Sequence, residues 1–403
     1  MRKCNTVATL YFHIPFCKRI CTYCDFYKVG AIELIPKVVE AMHGELEMRA
    51  NYLGDRHITS IYFGGGTPSL IAPEEIEGLI SHARKLFDCA EVGEITLEAN
   101  PDDLTEEYVT RLRQTSINRI SLGIQSFDDR VLKFMNRRHT AAEAKECVGR
   151  LRAAGYDNIS IDIIFGVAGF GDEWLRETLQ EAVALNVEHI SAYHLTVEER
   201  TRLGVMVRKG EYQPVDEERS ESDYRLVEDM LTEAGYEHYE VSNYAKEGCR
   251  AKHNSAYWKG VEYLGIGAGA HSFSGDDRRW CVSTAKEYAE GDIRFESEVL
   301  SPTDHLNEYI MTSLRTVEGI DLEYIGAAFG EAERRRLESS ARGWMERGVL
   351  SMEANRLHIP TSEFMLSDAV IESLFVYKIW IFRKKDLILL VHFFCVSGSI
   401  TIG

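Results

Sequence analysis

Short β-branched runs alternate with amphipathic stretches six times between residues 7 and 195, and this rhythm constrains the fold more than any other feature of the chain. Strands are read at 7–12, 60–63, 94–98, 119–123, 158–165 and 189–195. The helices that separate them are read at 34–52, from Pro73 onward, at 105–115, from Thr140-Ala-Ala-Glu143 to Gly155, and at 172–184. The Thr140 segment has the form of a capping box, and Gly155 supplies the stop. Parallel neighbours need crossover connections and helices provide them, so six units in series predict an α/β fold built on a parallel sheet. Two arrangements satisfy the pattern: a doubly wound sheet, or an incomplete TIM-like barrel of six β/α units. Both place ligand sites at the carboxyl ends of the strands.

After about residue 203 the rhythm changes. A charged helix is read at 217–234, a short strand at 239–243 and a Gly-rich turn region at 257–274. Residues 302–359 read as a small helical unit, with helices at 306–315, 322–329 and 332–347 and a closing hairpin of 349–351 and 356–359. The expected organisation is a partial barrel at 1–205, a barrel-completing and linking region at 206–300, and a smaller, mostly helical, winged-helix-like unit at 301–375. The tail, 376–403, holds two apolar runs around Arg383-Lys384-Lys385-Asp386. Neither run approaches the roughly 20 residues that span a bilayer. An added strand, a sticky tail, a peripheral membrane contact and a non-functional extension all fit it.

A formal charge of −18 over 403 residues argues against broad binding to a phosphate backbone, so nucleic acid is not an expected partner. The first five residues lack the apolar core of a secretion signal, and the chain is expected in the cytoplasm. There its nine cysteines should be thiols or metal ligands, not disulfides. Cys4, Cys89, Cys147, Cys249, Cys281 and Cys395 are scattered singly; Cys17, Cys21 and Cys24 are bunched.

The bunch lies in His13-Ile-Pro-Phe-Cys17-Lys-Arg-Ile-Cys21-Thr-Tyr-Cys24-Asp-Phe26, directly after the first strand. Its C-x3-C-x2-C spacing sets three thiolates around one centre. Structural zinc prefers four protein ligands and would need a distant one such as His13. Iron–sulfur clusters also use thiolates, usually four, and three would leave one iron open to a small molecule bearing an amine and a carboxylate. Gly64–Gly66, after the second strand, would let backbone N–H groups approach a charged ligand. Glu98, Gln125 and Asp162 fall at or near strand ends, where polar side chains can enter the barrel mouth.

The cysteine spacing is the radical S-adenosylmethionine signature. It is followed in order by Gly64-Gly-Gly-Thr67-Pro68, Leu97-Glu98-Ala-Asn100-Pro101, Gly123-Ile-Gln125-Ser126-Phe127, Asn136-Arg137 and Asp162-Ile-Ile-Phe165-Gly166. The series, over roughly 7–375, resembles the oxygen-independent coproporphyrinogen III oxidase family. The resemblance implies a [4Fe–4S] cluster on Cys17, Cys21 and Cys24, an incomplete (β/α)6 radical SAM barrel and an electron donor for the cluster. It also implies contacts to S-adenosylmethionine from Tyr11, Tyr23, Gly65, Gly66 and Thr67, and from Glu98, Gln125, Arg137 and Asp162. Arg137 could pair with a cofactor carboxylate through its planar fork.

Two departures point within that family. The oxidases continue the third cysteine as C-x-C, where this chain has Phe26, and they carry an extension before the first strand. Both departures, and His253-Asn254-Ser-Ala-Tyr257-Trp258, resemble the heme-chaperone branch, HemW. That branch implies heme as cargo and an unidentified heme-acceptor protein as partner. Imidazole and thiolate ligate heme iron, which makes His253, His271 and Cys249 candidates, although His253 equally suits a packing role at a domain junction. The alternatives are a true coproporphyrinogen III oxidase and, from another class, a radical tRNA-modifying enzyme, which the acidic balance disfavours. The loop Gly166-Val-Ala-Gly-Phe-Gly171 lacks the family's usual Gly-Leu-Pro-Gly-Gln-Thr, an expected loosening beside the cofactor site.

Overall fold

A computed structural model describes residues 7–54, 56–171 and 173–376. The apolar tail, Cys4 and Cys395 lie outside the described residues. Six parallel strands follow one another in space as they do in sequence: β1 (Val7–Ile14), β2 (His57–Gly65), β3 (Glu94–Ala99), β4 (Arg119–Gln125), β5 (Ile159–Phe165) and β6 (His189–His194). A doubly wound sheet reverses its order at a switch point. This one never does within β1–β6, so the barrel-like arrangement is the one adopted. The barrel stays open because β1 and β6 pair with other strands and not with each other.

The chain after residue 205 supplies those other strands. On one side β7 (Glu237–Glu240) and β8 (Asn243–Ala245) form a hairpin, with β8 antiparallel to β6. The single strand expected at 239–243 is therefore two, with its centre in the turn. On the other side β9 (Glu262–Ile266) lies parallel to β1, and β10 (His271–Ser274), β11 (Asp277–Cys281) and β12 (Phe295–Val299) extend the sheet to twelve strands.

Half of the Gly-rich turn region expected at 257–274 is thus strand. Its glycines answer to close packing: a Cβ on Gly265 would lie 2.0 Å from the carbonyl oxygen of His271. Arg49 reaches across from the helix Ile35–Met48 to donate to the Gly265 carbonyl at 2.9 Å and to Ser272 Oγ at 2.9 Å. Such a contact joins residues more than two hundred positions apart, which local pattern does not record. β12, at the edge of the sheet, and its neighbour β11 are too charged to show the alternation of half-buried strands, so local pattern does not announce them.

Helices cover the outer face of the parallel strands and bury apolar stripes against them, as Ile76, Leu79, Ile80 and Ala83 of Pro73–Leu86 show. The helix Ala141–Ala153 opens on the expected capping box: Glu143 N donates to Thr140 Oγ1 at 3.2 Å, and Thr140 N donates to Glu143 Oε2 at 2.7 Å. Thr140→Ala should cost about 1 kcal/mol of stability, read as a lower urea midpoint with an unchanged slope. The C-terminal unit packs Pro302–Leu314, Leu322–Phe329, Glu331–Glu346 and Ser367–Leu374 around a three-stranded sheet of β13 (Ile320–Asp321), β14 (Ser351–Glu353) and β15 (Arg356–His358). Among the described residues no helix is long and apolar enough to cross a membrane.

Candidate functional site

The cysteine loop leaves β1 and is pinned at several points. Cys17 N donates to Val29 O at 3.0 Å, closing the loop on itself. Thr22 N donates to Met135 O at 3.1 Å, Asn136 Nδ2 to Ile20 O at 2.8 Å, and Leu203 N to Thr22 O at 2.8 Å. The glycines after β2 form its base. A Cβ on Gly66 would meet backbone atoms of Phe16 at 2.7 and 2.8 Å, and Gly65, with φ +110°, lies against the His13 ring. Their N–H groups are already taken, Gly65 by Glu98 Oε2 at 3.1 Å and Gly66 by Ile14 O at 2.7 Å. These glycines therefore serve close approach to the cysteine loop, and their N–H groups are not left for a ligand as the sequence reading expected.

All three thiols line one cavity of about 730 Å³ at the carboxyl ends of the strands. Thr67 Oγ1 donates to Cys17 Sγ at 3.5 Å and Arg137 Nη1 donates to Cys21 Sγ at 3.2 Å. Burial pushes the Cys24 thiol up to about 11 and raises Cys17. Thiols so placed ionise when a metal takes the charge, as ligation requires. Among the described residues no three His, Cys, Asp or Glu side chains converge as a single metal ion needs. His13, the fourth ligand a zinc site would require, has both nitrogens engaged: Nδ1 with Tyr11 OH at 3.0 Å and Nε2 with Tyr27 O at 3.4 Å. Three thiols around a shared cavity, with donors already on two sulfurs, fit the larger body of an iron–sulfur cluster.

Glu98, at the end of β3, accepts from Tyr62 OH at 2.7 Å as well as from Gly65 N. Burial pushes its carboxyl up to about 8, and nearby Asp162 adds to the rise. Asp162 on β5 is pushed up to about 7 by burial, against the pull of Arg119. Gln125 closes β4 in the left-handed region, φ 74°, where the pairing with β5 slips past Gly123. That bulge turns the side chain toward the cavity, and its buried Oε1 has no hydrogen-bond partner. An orphaned acceptor in the wall of a cavity is the mark of a site built for a ligand.

Of the nine positions expected to contact a small cofactor, eight line this cavity: Tyr23, Gly65, Gly66, Thr67, Glu98, Gln125, Arg137 and Asp162. Tyr11 does not. It is buried behind the wall, bonded to His13 and stacked on Tyr62. Arg137 turns Nη2 to Asn100 Oδ1 and the Gly123 carbonyl and Nη1 to Cys21, and keeps Nε buried without a partner. Asn100 was legible in its motif without its role. Residues 166–171 do not line the cavity, and their loop is fastened by Tyr212 OH, which accepts from Ala168 N at 3.0 Å.

The three heme-ligand candidates lie apart from the cavity wall. His253 is fully buried, with Nδ1 against Ser60 Oγ at 2.8 Å, Nε2 against Tyr257 OH at 3.0 Å and its ring stacked on Tyr62. Burial lowers its pKa to about 3. This is the packing role that the sequence left open. His271 sits on β10, stacked with Trp280, and Cys249 follows β8.

The chain is 32% identical over 366 residues to the heme chaperone HemW of Lactococcus lactis subsp. lactis, which covers 90% of this chain and 96% of that one. It belongs to the HemW family. A HemW of Mycobacterium tuberculosis is 33% identical over 379 residues, covering 91% and 94%. The radical SAM superfamily model matches residues 11–182 and the HemN C-terminal domain model matches 300–366. Coproporphyrinogen III oxidase (HemN) from Escherichia coli, a radical SAM enzyme, shares the fold with a TM-score of 0.78 at 20% identity, over 92% of this chain and 91% of that one. For a HemW-family chain, radical SAM membership implies a [4Fe–4S] cluster and S-adenosylmethionine.

Proposed function

We propose that this chain is a heme chaperone, binding heme and passing it to an acceptor protein, with a [4Fe–4S] cluster on Cys17, Cys21 and Cys24 and S-adenosylmethionine as the exchangeable ligand. The observation that carries the reading is one cavity that gathers the three thiols, an unpartnered acceptor and two carboxyls whose pKa burial raises, beside apolar walls from Phe165, Tyr224 and Phe364. The HemW name borne by relatives that match almost end to end, together with Phe26 where the oxidases carry cysteine, favours cargo handling over porphyrinogen decarboxylation.

When bound, the cluster and its cofactor supply electron-transfer chemistry. The residues of the chain position and enclose it. Thr67 and Arg137 hold two sulfurs, Gly65 and Gly66 let the cysteine loop seat, and Glu98 and Asp162 are placed to take up positive charge by losing protons. The test is anaerobic: reconstituted protein is titrated with hemin, mixed with an apo-acceptor, and assayed with coproporphyrinogen III. About one heme per chain, transfer to the acceptor and no protoporphyrinogen IX are expected. A Soret band that never shifts, or turnover to protoporphyrinogen IX, would sink the proposal.

A further inference from the structure

The cavity wall holds four Lys and Arg residues: Arg19, Lys28, Arg137 and Arg315. Three are engaged, although Arg137 keeps a buried unpartnered Nε. Arg137 holds Cys21, Lys28 donates to the carbonyl oxygens of Cys24 and Phe26, and Arg19 is exposed and donates to the Arg137 carbonyl. Arg315 is different. It caps the helix Pro302–Leu314 at its C-terminal end, is 1% exposed, and sends one nitrogen, Nη2, to Asp368 Oδ1 at 2.5 Å. Its Nε and Nη1 are buried without hydrogen-bond partners. A guanidinium carries five N–H donors, so most of this one's capacity is unmet.

Leaving a buried cation half-satisfied is costly, because the low-dielectric surroundings replace hydration that nothing returns. Asp368, its partner, remains 41% exposed at its side chain, so water competes for it. The other carboxyl beside Arg315 is Glu240, fully buried and pushed up to about 8 by that burial, and it is mostly protonated at neutral pH. The positive charge is therefore only partly offset. The same cavity is lined by Tyr224, Val241, Phe364 and Met365, with hydroxyls from Ser242 and Ser367 between them. A cation with spare donors set into an apolar wall recognises an acid group on an otherwise apolar molecule.

We infer that Arg315 is a carboxylate-binding residue of the cargo site, where it pairs with a propionate of a heme whose ring lies against the Tyr224 and Phe364 wall. The inference rests on the chaperone reading. It assigns the C-terminal unit a direct part in holding cargo, since Arg315, Phe364 and Asp368 all come from residues 301–375. Asp368 acts as the stand-in that holds the guanidinium until a ligand carboxylate arrives.

The experiment compares hemin with hemin dimethyl ester, which keeps the ring and iron but has no free carboxylate, on the reconstituted full chain. Arg315→Gln should weaken hemin binding about tenfold, the value of a charge-assisted hydrogen bond, and leave the diester within about twofold. Asp368→Asn should tighten hemin several-fold and leave the diester unchanged, a gain that misfolding cannot imitate. Equal loss of both ligands in Arg315→Gln, no loss of either, or equal affinity of wild type for the acid and the ester would each overturn the assignment. If Arg315→Gln does not fold, Asp368→Asn decides alone, and no gain in hemin affinity counts against it. Wild type that binds neither ligand removes the chaperone reading and this assignment together, an outcome distinct from the others.

Discussion

Serine in place of Cys21 is expected to lower iron and acid-labile sulfide more than tenfold in anaerobically reconstituted protein, while Cys249→Ser leaves both at wild-type levels. The contrast follows from placement. Cys21 shares a cavity with Cys17 and Cys24 and takes a hydrogen bond from Arg137, whereas Cys249 is a lone cysteine away from that wall. In the proposed site, with three thiolates and no fourth among the described residues, removing one would leave a cluster two protein ligands, too few to hold it against loss to solvent. The fold should survive, because the loop is anchored through Thr22, Asn136 and Val29 and not through its sulfurs. Far-ultraviolet circular dichroism checks this, and metal and sulfide analysis reads the loss. Full iron and sulfide in Cys21→Ser, or zinc in the wild type, would contradict the three-thiolate cluster.

What local pattern can announce, the sequence announced. The parallel strands, the Thr140–Glu143 cap and the cysteine loop are each written within a dozen residues, and each stands where it was expected. What it hid is held by distant partners. Gly265 looks like a turn residue until the His271 carbonyl is seen 2.0 Å from where its Cβ would be. Buried Glu45, in the helix read at 34–52, accepts from Gly267 N at 2.9 Å and from Tyr288 OH at 2.5 Å, tying that helix to the chain after residue 205. In the site, family spelling located the cavity wall but not the division of labour. Arg137, read as a ligand fork, also holds Cys21, Tyr11 looked like a contact and lies behind the wall, and Arg315 carried no motif at all.

The carboxyls at the cavity make stability depend on pH in a direction opposite to that of paired surface acids. Glu98 is pushed up to about 8 and Asp162 to about 7, burial being the main cause of each, while in the unfolded chain such groups ionise near 4.3 and 3.9. Between roughly pH 4 and 8 the folded state therefore holds protons that the unfolded state has released. Stability changes with pH in proportion to protons bound unfolded minus protons bound folded, a negative quantity here, so it falls as pH rises. The contribution is complete below pH 4 and gone above pH 8. Cluster-free wild type should lose on the order of 1–3 kcal/mol between pH 6 and 8.5 in urea unfolding, moderated because both groups face a cavity that admits water. Glu98→Gln with Asp162→Asn should lose less than half as much, keeping a residual slope from Glu240, also pushed up to about 8. Parallel decline of wild type and double variant would mean that neither carboxyl holds its proton at neutral pH. In that case the cavity carries two negative charges before any ligand arrives, and its affinity for a cationic cofactor would come from standing charge instead of proton release.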